Sequence, residues 1–264
     1  MMLLLAALYT IALWWAATQS ILWLVTRVPK AAANALALLL AIASAMLAVA
    51  AAHDGSVHAA FVAFTAGVGL WAAFEIAFLT GAILGVDRNG PPAKGGARRA
   101  WDAFLAIVYH EGALIGTLVI LAVVTLGAVN SGALATFAAL WLMRASAKLN
   151  LFLGVRNLCT EFLPDAAAHL ARHFTKRSMN PAFPFCVLCA SVASFVLLRA
   201  AFHDGSSPAE AASAMLVGTL VTLGVIEHWL MVTPLSALAL FRPGRVRRAT
   251  SLRGSLARPV DFAK

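Results

Sequence analysis

Residues 31–52 read AAANALALLLAIASAMLAVAAA, 22 positions without one charged side chain. A transmembrane helix needs about 20 apolar residues to cross the hydrocarbon core, and nothing soluble explains so long an uncharged run. Working outward, six more stretches of this kind appear, near 2–25, 58–85, 102–129, 132–152, 183–202 and 211–241. The whole chain agrees. Of its 264 residues 62% are hydrophobic and only 12% are charged, with a mean hydropathy of +0.87. Soluble domains carry roughly twice that charged fraction. The expected fold is an all-α polytopic bundle of about seven transmembrane helices over residues 1–241, followed by a basic tail, 242–264.

The basic residues sort by side. Eighteen of the 20 lysines and arginines fall in the loop 27–30, the loop 86–100, the segment 148–181 and the tail. The turns around His53-Asp54-Gly55 and Asn130-Ser131-Gly132 hold none. The positive-inside rule then places the N-terminus in the periplasm and the C-terminus in the cytoplasm. The net charge of +9 is accounted for by an anionic inner leaflet, and no nucleic-acid motif accompanies it. The first helix has no basic leader and keeps Trp14, Trp15 and Trp23, which fits a retained span. The three cysteines form no disulfide framework: Cys159 falls in a cytoplasmic loop, and the Cys-x-x-Cys of Cys186 and Cys189, a spacing open to metal or redox use, reads better as small buried residues of a lipid helix. Gly81/Gly85 and Gly112/Gly116 have the spacing that lets membrane helices approach closely.

Ionisable residues within spans are costly and mark candidate sites. Here they are Glu75, His110, Glu111, Arg144, Lys148, Glu227 and His228. At 1.5 Å per residue Glu75, His110 and His228 lie about 14–20 Å from the cytoplasmic ends of their helices, one inner-half layer. His110-Glu111 and Glu227-His228 are mirror-related, so antiparallel neighbours would set like beside like. Below them, Asn150, Arg156, Asn157 and Glu161 continue the helical spacing from Lys148. A further amphipathic helix, about 161–177, would rest on the inner leaflet with His169, Arg172, His173 and Lys176 on one face. His169 and His173, four apart, have a spacing that can chelate a metal. The residues leave three readings open: a buried polar network, a pigment or quinone ligand site, and a catalytic metal site built from Glu75, His110, Glu111, Glu227 and His228.

Several strings resemble one known family. They are Trp101-Asp102-Ala103 with Tyr109-His110-Glu111; Lys148 to Leu158 with Glu161-Phe162-Leu163-Pro164; Met179-Asn180-Pro181-Ala182-Phe183-Pro184; and Glu227-His228-Trp229 with Pro234. In this order they are similar to the photosynthetic complex assembly protein 2 family, PuhE. The resemblance implies a multi-pass protein of the bacterial inner (intracytoplasmic) membrane. It implies a role in assembling the photosynthetic reaction centre or light-harvesting complex, with those subunits as partners and bacteriochlorophyll or a precursor as the molecule handled. It carries over no catalytic residue. The rival expectation is a membrane metalloenzyme acting on a tetrapyrrole or quinone. A proton or solute conductor fits less well, because the ionisable layer offers no relay to the outside.

Overall fold

A computed structural model describes residues 1–86, 95–160 and 163–234. The helices are α1 Met2–Arg27, α2 Lys30–Ala52, α3 Val57–Leu79, α4 Gly96–Leu105, α5 Val108–Val124, α6 Gly132–Leu153, α7 Phe183–Ala201 and α8 Pro208–Val232, with a 3-10 helix at Asp165–His173. Among the described residues the architecture is helical, apart from one isolated bridge between Val155 and Lys176. Local chemistry starts the helices where the turn residues stand. Ser56 Oγ accepts from Ala59 N–H at 3.1 Å at the head of α3. At the head of α8, Ser207 and Glu210 cap each other reciprocally, with Pro208 in the first turn.

Five helices, α1, α2, α3, α7 and α8, are long and apolar enough to cross a membrane; α4 and α5 make a sixth span if taken together, although they bend by 67°. The expected span at 132–152 is indeed helical, as α6. Arg144, Lys148 and Asn150 in its second half leave it short of that apolarity. Three boundaries differ from expectation. The stretch 58–85 is helical only to Leu79, because Gly81 at φ +90° turns the chain. The stretch 102–129 is two helices broken at residues 106–107. There Gly85 N–H donates to Ala106 O at 2.9 Å and Val86 N–H to Leu105 O at 2.8 Å. A side chain on Gly85 would overlap the Leu105 carbonyl oxygen. The last helix ends at Val232.

Helix α3 is the axis. It packs on α1, α2, α5, α6 and α8, and most of its apolar stretch is covered. Small residues make this possible: a Cβ on Gly67 would come within 2.7 Å of Thr136 of α6. By contrast α2 shows Leu38, Leu39 and Met46, and α7 shows Phe185, Leu188 and Phe195, to the surroundings. Contiguous apolar surface of this extent suits lipid. Among the described residues nothing lies within 4 Å of a Cβ built on Gly112 or Gly116, so their spacing serves no close helix approach there. Cys189 is exposed and Cys186 half-buried, against the expected burial, and no disulfide joins cysteines among the described residues.

The segment after α6 is a folded cap. Gly154 at φ +125° ends the helix, so Arg156 and Asn157 do not continue it. Val155 N–H donates to Thr175 O at 3.2 Å, and Arg177 N–H to Val155 O at 3.0 Å. The expected amphipathic helix at 161–177 is the shorter 3-10 helix, whose three residues per turn set His169 and His173 about 120° apart. His173 is buried and His169 half-exposed, so they share no chelating face. Glu161, Arg88, Lys94 and the basic tail 242–264 lie outside the described residues.

Candidate functional site

The polar layer is assembled around α6. From α3, one turn beyond the half-buried Trp71, Glu75 is only 2% exposed. Its two carboxylate oxygens accept from Arg144: Nε donates to Oε1 at 3.2 Å and Nη2 to Oε2 at 3.0 Å. This fork-to-fork geometry is the strongest form of carboxylate pairing. His110 of α5 is fully buried, with Nε2 at 3.7 Å from Glu75 Oε1. Its ring lies on Phe78 with centroids 4.3 Å apart. Neither ring nitrogen has a hydrogen-bond partner.

The neighbouring Glu111 forms a second pair with α6. Lys148 Nζ stands 2.6 Å from Glu111 Oε1, and Trp141 Nε1–H donates to Oε2 at 3.1 Å. Trp141 and Lys148 are seven residues apart, two turns on one face, so both reach the same carboxylate. Sequence reasoning missed Trp141; the 141, 144, 148 spacing was the available signal.

The third part lies between α6 and α8. His228 Nδ1 is 2.8 Å from Gly224 O, and Nε2 is 2.9 Å from Ser146 Oγ. A carbonyl can only accept, so Nδ1 carries the proton and Nε2 accepts from the serine hydroxyl. Both nitrogens of His228 are therefore engaged within the protein. The mirror pairing is not formed. Helix α6 packs against both α5 and α8, and no hydrogen bond or ion pair joins His110-Glu111 to Glu227-His228. Glu227 is exposed and within electrostatic reach of Arg144, with no ion pair to it inside 4.0 Å. Among the described residues, no group of three or more His, Cys, Asp or Glu side chains is placed to hold a metal ion. The arrangement does hold five formally charged groups around α6, three carboxylates against two cations.

Beneath it the cap is anchored by asparagines. Asn150 and Asn180 are buried, and Asn180 Nδ2 donates to Asn150 Oδ1 at 2.9 Å and to Gly154 O at 3.0 Å. Asn180 Oδ1 also accepts from Ala182 and Phe183 N–H at the head of α7. Asn157 Nδ2 donates to Leu230 O and Thr233 O at the end of α8. Arg99 donates to Phe152 O, His173 O and Thr175 Oγ1. Arg156 is exposed.

Residues 1–250 match the model of a family described as "Protein of unknown function (DUF3623)". The chain is 37% identical over 240 residues to an "Uncharacterized 30.4 kDa protein in puhA 5'region" of Rhodobacter capsulatus, covering 88% of this chain and 86% of that protein. No solved structure matches it.

Proposed function

We propose that this chain, which belongs to the DUF3623 family, is a membrane assembly factor for the photosynthetic reaction centre or light-harvesting complex. The observation that carries the reading is the relative encoded in the puhA 5′ region, which agrees in direction with the resemblance to the photosynthetic complex assembly protein 2 family. The helical bundle and its lipid-suited surface support a place in the membrane. The charged layer supports a site rather than a passive anchor, because ionisable groups in spans are retained for pathways, ligands or partners. In this reading the protein sits in the bacterial inner membrane with seven spans, α6 among them, the N-terminus outside and the basic loops facing the cytoplasm. It meets reaction-centre or light-harvesting subunits and handles or regulates bacteriochlorophyll or a precursor. The metalloenzyme alternative gains no support from the geometry, since Glu111 is taken up by Lys148 and Trp141, and His228 by Ser146 and Gly224.

Deleting the gene in the phototroph that carries it tests the proposal. Membrane absorption bands of the pigment–protein complexes should fall, and the plasmid-borne gene should restore them. Unchanged bands under inducing conditions would overturn it.

A further inference from the structure

The inner face of α8 runs through Leu216, Leu220, Gly224 and Glu227, spaced by three or four residues and so stacked on one side of the helix. The first three are buried, whereas Glu227 is exposed. The inner face of α6 behaves alike. Ala133, Phe137 and Leu140 are 2%, 0% and 8% exposed, and then the Arg144 side chain is 41% exposed. Both side chains therefore stand where a buried face opens at its edge. Two helices reach that condition with opposite charges in electrostatic reach of each other.

Helix α1 shows what flanks that edge. Its first half packs on α8: Ala6 shares a cluster with Leu216 and Leu220, and Thr10 Oγ1 donates to Leu216 O at 3.2 Å. Glu227 lies eleven residues after Leu216. Both helices start from the same end of the bundle, so its level on α1 is Ile21, eleven residues after Thr10. Ile21, with Leu24 and Val25, packs instead against Ala33 and Ala37 of α2 and Ala72 and Ile76 of α3. At the depth of Glu227, α1 has therefore turned away toward α2. The two helices thus part at this level, and the half-buried Trp14 and Ala17 of α1 stand just above it.

We propose that the parting of α1 and α8 is a lateral cleft that binds an amphiphile whose head carries an ammonium group, with the ammonium on Glu227 and the chains in the gap beside α1. The charge pattern selects the head. Glu75 is matched by Arg144 and Glu111 by Lys148, so the carboxylate left over is Glu227. A carboxylate in a lipid-facing cleft gains most from a cation that donates hydrogen bonds. The remaining N–H groups of Arg144 can receive a phosphate from the same molecule. Two sources share this chemistry: an aminophospholipid of the bilayer, and a single-chain amine. The inference concerns what fills the cleft and does not rest on the assembly role.

The test uses the full chain purified in mild detergent, titrated with lipids of identical acyl chains while thermal unfolding and native mass spectra are recorded. Phosphatidylethanolamine should raise the Tm saturably and remain bound in the spectra. Phosphatidylcholine, which has no N–H, should do so more weakly, and phosphatidylglycerol least. Hexadecylamine matching phosphatidylethanolamine would identify the ammonium as sufficient; hexadecylamine falling short would assign the phosphate to Arg144. Glu227→Gln should weaken phosphatidylethanolamine binding roughly tenfold or more, and Glu210→Gln at the far end of α8 should leave it unchanged. Equal protection by all three phospholipids, or full affinity in Glu227→Gln, would overturn the proposal. The lipid ranking on the unaltered protein stands as evidence even if a variant accumulates poorly.

Discussion

Replacing Glu75 and Arg144 by glutamine, singly and together, measures the bond on which the polar layer is built. Each single change leaves a partner with nothing of opposite charge at the same place. A fully buried pair broken on one side costs about 3–5 kcal/mol, and a surface pair about 0–1. This pair stands between those limits, because Glu75 is 2% exposed while the Arg144 side chain is 41% exposed. Two charge-assisted contacts at 3.2 and 3.0 Å then suggest a coupling of about 2 kcal/mol in the double-mutant cycle. Unfolding the purified variants with increasing SDS in mixed micelles reads the four free energies. A coupling of about 0.6 kcal/mol or below, the level of an ordinary interhelical hydrogen bond in a membrane protein, would refute the account of Glu75 and Arg144 as the tie between α3 and α6.

Gly85→Ala should lower the SDS midpoint and the membrane level, by about 1–3 kcal/mol, because the added methyl meets backbone that cannot yield. Gly112→Ala and Gly116→Ala should leave stability unchanged, having open space around them. Asn180→Ala removes the cap of α7 and strands the Asn150 side chain, for about 2–3 kcal/mol by the same titration. A periplasm-dependent reporter should work when fused after Asp54 or Ser131 and fail after Pro92 or at the C-terminus; the reverse pattern would overturn the proposed orientation.

What was legible followed from hydropathy and charge. The length of the apolar runs places α2 and α6 within a residue or so of their ends, and an ionisable residue in an apolar run singles out Glu75, Glu111, Arg144 and Lys148, which do meet. What was not legible depends on neighbours. The apolar run after Leu79 gives no warning of the turn at Gly81. The break between α4 and α5 contains neither glycine nor proline; its carbonyls turn outward to receive the Gly85 and Val86 N–H groups, a tertiary cause. The mirror symmetry of His110-Glu111 and Glu227-His228 was true of the sequence and misleading for the fold, because the position of α6 between α5 and α8 is not written in either string. The anchoring roles of Asn180 and Arg99 likewise come mainly from backbone groups, which a side-chain pattern does not display.

The central claim is that the charged layer acts in complex assembly and does more than hold helices together. Glu227→Gln separates these, since Glu227 has no ion-pair partner in the chain among the described residues and its loss should spare the fold. The decisive quantity is the amount of pigment–protein complex per unit of this protein in phototrophic membranes. The account predicts wild-type protein level with the complex bands reduced. A complex level that stays at the wild-type value, or that falls only in proportion to the protein, would contradict it.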